Sequence, residues 1–136
     1  MPRILGIDFG LKRCGIAVTD PLQIIVSGLE TIETPKLLSF LEFYLELEKV
    51  EKIVFGYPTH KDGNDTYVVE HIKQLTSKCQ QQWPEILIDY QNEQFSSHMA
   101  RQIILQSGVN RKKRQDKALV DKVSAIVILQ KYLKHI

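Results

Sequence analysis

Residues 4–20 read ILGIDFGLKRCGIAVTD. Two apolar runs, 4–9 and 14–19, stand either side of the short turn Gly10-Leu11-Lys12, which is the pattern of an antiparallel hairpin. The first run carries an acid, Asp8, in its midst. On an extended strand Asp8 shares a side with Ile4 and Gly6, whereas Leu5, Ile7 and Phe9 face the other way. A carboxylate removed from water costs several kcal/mol unless a cation or hydrogen bonds compensate it. Gly6 and Gly10 remove bulk around Asp8 and leave room for a ligand to approach the backbone.

The chain continues in the same grammar. Residues 3–9, 14–19 and 23–32 predict three strands in an antiparallel meander, with a second turn at Asp20-Pro21. Residues 36–49 place Leu37, Leu38, Leu41, Tyr44, Leu45 and, just beyond, Val50 near one face of an amphipathic helix, and Pro35 suits its first turn. Ile53-Val54-Phe55-Gly56 is a short buried strand leading into the polar loop YPTHKDGND. Asn64 or Asp65 can cap a helix reaching about residue 81. Residues 86–90 predict a further buried strand, and Ser96 to Gln106 a helix that stops at Gly108. A last helix is expected over about 115–133. This order predicts an α/β domain with a mixed sheet, with residues 1–136 forming one domain large enough to bury a real core.

Composition excludes several classes. Apolar residues make up 43% and charged residues 25%, as in ordinary globular proteins. No apolar run nears the roughly 20 residues that span a bilayer. MPRILGIDFG lacks the charged and apolar regions of a signal peptide, so a cytoplasmic location without membrane attachment is expected. The only cysteines, Cys14 and Cys79, lie in unrelated settings and read as reduced packing residues. No nucleophile elbow, dinucleotide fingerprint or phosphate-binding loop occurs, and no histidine pairs with Glu or Cys at metal-ligand spacing. Hydrolysis by a metal-activated water fits better than covalent catalysis.

Two further acids stand out beside Asp8. Asp121 lies on or beside the apolar stripe of the last helix, where Ala118, Ser124 and Ala125 are small enough for close packing on a sheet. Glu93 follows the strand 86–90, and ligands of open α/β sheets collect at the carboxyl ends of strands. If the three converge, they form an oxygen-donor site suited to a hard divalent cation. The net charge of +2 conceals a basic run, Arg111, Lys112, Lys113 and Arg114, followed by Lys117 and Lys122, which reads as a loop feeding the helix that carries Asp121. Like charges in series favour a polyanion partner. Lys12 and Arg13 add positive potential just beyond Asp8. Acids for metal beside cations for phosphate is the arrangement that phosphodiester cleavage requires.

GIDFGLKRCGIAVTD, GYPTHKDG, NEQFSS and RKKRQDKALVDKVSAIVILQKYL together resemble the YqgF/RuvX family, known as Holliday-junction resolvases or pre-16S rRNA nucleases. The resemblance covers nearly the whole chain. It implies a ribonuclease-H-like fold whose five-stranded mixed sheet has three antiparallel strands followed by parallel ones, flanked by helices. It also implies that Asp8, Glu93 and Asp121 are the catalytic, metal-binding acids. In the third motif Asn92 and Gln94 stand where the family commonly has Asp and Arg.

The expected function is that of a nuclease using one or two Mg²⁺ or Mn²⁺ ions on pre-rRNA, with branched DNA as a further substrate. Lys12, Arg13, Arg111, Lys112, Lys113 and Arg114 would hold the nucleic-acid backbone. A symmetric junction would suit a homodimer. Two other classes compete. Asp-Phe-Gly before a hairpin also resembles the first phosphate motif of actin- and sugar-kinase-type ATPases, which close two related domains on a nucleotide. A non-catalytic RNA-binding factor of ribosome assembly would need the basic run but no metal.

Overall fold

In the computed structural model, residues 2–57, 64–92 and 96–136 are described. The first three strands, β1 (Arg3–Phe9), β2 (Arg13–Thr19) and β3 (Val26–Glu33), form the expected antiparallel meander. A 3-10 turn, Thr34–Lys36, contains Pro35 and opens onto α1 (Leu37–Leu47). Then come β4 (Val50–Tyr57), α2 (Asn64–Gln82), β5 (Leu87–Asn92), α3 (Ser96–Gln106), α4 (Arg111–Arg114) and α5 (Lys117–Tyr132). The sheet order is β3-β2-β1-β4-β5, with β4 parallel to β1 and β5 parallel to β4. Parallel neighbours need a crossover, and α2 supplies the one between β4 and β5.

The two faces of β1 go to different layers, as its alternation predicts. Leu5, Ile7 and Phe9 join Ile16, Val18, Ile53 and Phe55 beneath Leu37 and Leu41 of α1 and Ile72 and Cys79 of α2. Ile4, Ala17 and Val54 meet Ala125, Ile128 and Leu129 of α5 on the other face. Helix α3 packs on α5 through Ala100, Ile104 and Val120. The result is a three-layer sandwich with α1 and α2 on one side and α3 and α5 on the other.

Helix α5 lies unusually close to the sheet because glycines face it. A Cβ on Gly6 would collide with Leu129, one on Gly15 with the Asp121 backbone, and one on Gly28 with Lys122 and Ile126. Buried Ser124 and Ala125 keep the helix side of that contact small.

Several boundaries move for local reasons. The third strand begins at Val26 rather than 23, because the Asp20 carboxylate gathers the N–H groups of Leu22, Ile24 and Ile25 at 3.3, 2.7 and 2.7 Å. That Asx-type closure holds residues 20–25 in a loop. The strands expected at 53–56 and 86–90 extend over 50–57 and 87–92 through parallel pairing. The final helix starts at Lys117, not 115, since Asp116 caps it by accepting from Ala118 N–H at 3.0 Å. Helix α3 matches its expected span, and Gly108 beyond it takes a positive φ of 83°.

Candidate active site

The site is built where β1, β2 and α5 meet. Asp8 pairs in register with Gly15, and Gly15 with Thr31, so these three residues form a row across the α5 face of the sheet. Helix α5 crosses that row. The Thr31 hydroxyl donates to the Ala118 carbonyl at 2.5 Å, and the Asp121 backbone rests on Gly15. Asp8 and Asp121 are therefore brought together around one glycine from positions far apart in the sequence. Both are half-buried. Glu93, the third sequence candidate, lies outside the described residues, as does Gln94, while Asn92 is the last residue of β5.

Arg13 enters this site from the start of β2. Its Nε donates to Asp121 Oδ2 at 2.9 Å, with the two side chains 37% and 27% exposed. Among the described residues Arg13 is the direct charge partner of Asp121, and the sequence offered no sign of this pairing. Lys12, one residue earlier, is exposed.

The turn that carries Lys12 and Arg13 is fastened from the far end of β3. The Thr34 hydroxyl donates to the Gly10 carbonyl at 2.6 Å, and Thr34 N–H donates to the Lys12 carbonyl at 2.9 Å. Thr34 thus holds both ends of the turn, a role that its place after a strand did not advertise. The Cys14 thiol lies beside it, 3.5 Å from the Thr34 hydroxyl, on the α1/α2 face. Burial pushes that thiol's pKa up, and the nearby charges of Asp8 and Asp121 push the same way. A buried, protonated thiol facing away from the acids is a packing residue and no metal ligand.

The basic run differs from the loop expected of it. Residues 111–114 form a helical turn, α4, capped by Asn110 Oδ1, which accepts from Lys113 N–H at 2.9 Å. Arg111, Lys112 and Lys113 are exposed and Arg114 is half-buried. Lys113 borders a groove of about 320 Å³ beside β3, together with Thr31, Asp116 and Lys122.

What the described donors could hold follows from their chemistry. Asp8 and Asp121 offer carboxylate oxygens, and among the described residues no cluster of three His, Cys, Asp or Glu side chains forms around them. An all-oxygen pair at the carboxyl end of a strand suits a hard divalent cation. No helix among the described residues is long and apolar enough to cross a membrane.

Known proteins place these features in a family. Residues 2–135 match the RuvX family, described as Holliday junction resolvase. A protein of Porphyromonas gingivalis, provisionally named a pre-16S rRNA nuclease, is 48% identical over 133 residues, covering 98% of this chain and 96% of its own. One of Flavobacterium psychrophilum with the same provisional name is 45% identical, covering 98% and 97%. Among solved structures, Thermus thermophilus RuvC in complex with Holliday junction substrate superposes with a TM-score of 0.61 at 11% identity, covering 99% of this chain and 96% of that one. The fowlpox virus resolvase bound to Holliday junction DNA gives 0.56 at 13% identity, covering 98% and 97%. At such low identity these likenesses speak for the fold alone. The chain belongs to the RuvX family and is a nuclease, a hydrolase of nucleic acid on a ribonuclease-H-like fold.

Proposed function

We propose that residues 1–136 act as one metal-dependent endonuclease domain in the cytoplasm, cutting structured nucleic acid, with precursor 16S rRNA as the physiological substrate and branched DNA as a lesser one. The carrying observation is that the N-terminal half of α5 seats the Asp121 backbone on Gly15, the strand partner of Asp8. Together with Glu93 they would hold one or two Mg²⁺ or Mn²⁺ ions. When bound, such ions supply an activated water and charge stabilisation at the leaving oxygen.

The chain's own residues do the rest. Gly15 and Gly6 let α5 settle on the sheet and so fix the spacing of the acids. Thr34 sets the turn from which Lys12 and Arg13 reach the backbone phosphates. The exposed cations of α4 would track the strand beyond the scissile bond, a sequence-independent grip that weakens as salt rises. Two such sites, related by a two-fold axis in a homodimer, would match a symmetric junction.

The test is incubation of purified protein with precursor ribosomal RNA and with a four-way DNA junction, in Mg²⁺, Mn²⁺ or chelator. Cleavage of the RNA that stops with chelator and with Asp8→Asn is the expected result. Cleavage that persists in chelator would overturn the metal assignment, and cleavage of the junction alone would reverse the order of substrates.

A further inference from the structure

The ion pair between Arg13 and Asp121 joins residues 108 apart in sequence, at the point where the acids gather. Both backbones are held. Arg13 pairs with Glu33 in the sheet and follows a turn fastened by Thr34, while Asp121 rests on Gly15. With both backbones held, the pair separates by side-chain rotation. The guanidinium touches the carboxylate through Nε alone, not through the two-pronged fork that grips a carboxylate most firmly. Both side chains remain partly exposed, and ion pairs in such settings contribute little net stability. A weakly held cation thus sits on the carboxylate of a residue whose backbone packs on Gly15, the strand partner of Asp8.

We propose that Arg13 is an exchangeable counter-ion for Asp121. It neutralises the acid while no divalent ion is bound, and it yields the carboxylate when the ion arrives, the guanidinium then pairing with the substrate phosphate. The inference rests on the reading of Asp8 and Asp121 as metal ligands. Its physical basis is that a divalent ion and a guanidinium against one carboxylate repel each other. A planar guanidinium released from that contact is well matched to phosphate oxygens. Phosphate that draws Arg13 away then raises the affinity for the divalent ion, and the ion raises the affinity for phosphate by the same factor. The site would be discouraged from loading metal tightly until nucleic acid is present.

The sign of this effect separates it from a supporting role. If Arg13 only steadied Asp121, its loss would weaken metal binding, as the loss of partners to metal ligands does. If it competes, its loss strengthens metal binding. The experiment is calorimetric titration of Mn²⁺ into the full chain without nucleic acid, for the wild type, Arg13→Gln, Arg13→Lys and Asp8→Asn. Arg13→Gln is expected to bind Mn²⁺ up to about fivefold more tightly, the upper worth of an exposed ion pair. Arg13→Lys keeps the charge and stays near the wild type. A non-cleavable RNA oligonucleotide should tighten Mn²⁺ binding by the wild type and do so less for Arg13→Gln. Arg13→Met, neutral and of similar length, replaces Arg13→Gln if circular dichroism shows that variant unfolded.

Unchanged or weaker Mn²⁺ binding by the neutral variant, with Asp8→Asn binding lost, overturns the counter-ion role alone. Wild-type Mn²⁺ binding by folded Asp8→Asn overturns the metal reading beneath it.

Discussion

The carbonyl of Asp121 rests on Gly15 so closely that no side chain fits between them. That packing fixes the Asp121 backbone beside Gly15, the strand partner of Asp8. The spacing of the two acids is therefore set by backbone packing, and the predictions about activity divide into those that remove an acid and those that move one.

Asp8→Asn removes a negative charge while keeping the shape. Cleavage of precursor RNA is expected to fall by more than the roughly 10–100-fold that loss of a mere supporting partner costs. The circular dichroism spectrum and melting temperature should stay close to those of the wild type. Full activity in a folded variant would refute the role of Asp8.

Gly15→Ala moves an acid without removing it. The new methyl must push α5 off β2, and overpacking of this kind costs about 1–3 kcal/mol. Urea unfolding should report that loss, and cleavage should fall together with Mn²⁺ affinity. A variant of wild-type stability and activity would show that α5 is free to shift.

The cations of α4 should reveal themselves through salt. For Lys112→Ala combined with Lys113→Ala, the slope of log affinity against log salt should become shallower by about 0.7–0.9 for each phosphate no longer neutralised. Melting temperature should barely change, because both side chains are exposed. An unaltered slope would assign the phosphate grip to other cations.

A second polar cluster lies at the opposite end of α5. Tyr132 donates to Asp89 Oδ2 at 2.6 Å and accepts from Lys52 Nζ at 2.8 Å, tying α5 to β4 and β5. The Tyr132 hydrogen bond holds the Asp89 carboxyl below the usual carboxylate range. A lowered folded-state pKa gives stability that is present above the ordinary pKa of about 4 and is lost as pH falls through the lowered value. Tyr132→Phe should lower stability at neutral pH by under about 1 kcal/mol, given how exposed Asp89 is. It should also flatten the loss of stability below about pH 4. Equal acid dependence in both proteins, measured by urea unfolding across the acid range up to neutrality, would dismiss the coupling.

Burial raises both thiols, Cys79 to about 11. Neither should react with iodoacetamide under mildly alkaline conditions in the folded protein, and both should react once urea unfolds it. Rapid labelling of Cys14 in native conditions would show that the Thr34-fastened turn opens.

What the sequence determined by itself was the pattern that local rules govern. Alternation along β1 sent Leu5, Ile7 and Phe9 to one layer and Asp8 to the other, because successive side chains on a strand must point oppositely. The small residues of the last helix announced close packing, and Asp8 and Asp121 were recognisable as acids in apolar company. Strand ends were less legible where a side chain captured backbone donors, as Asp20 and Asp116 do, since such hydrogen bonds compete with continued pairing or decide where a helix begins. Only the tertiary structure decided that Arg13 pairs with Asp121 and that Thr34 fastens the turn before Arg13. Those interactions join segments that meet only when β2, β3 and α5 pack together, and no spacing within one segment encodes a partner supplied by another.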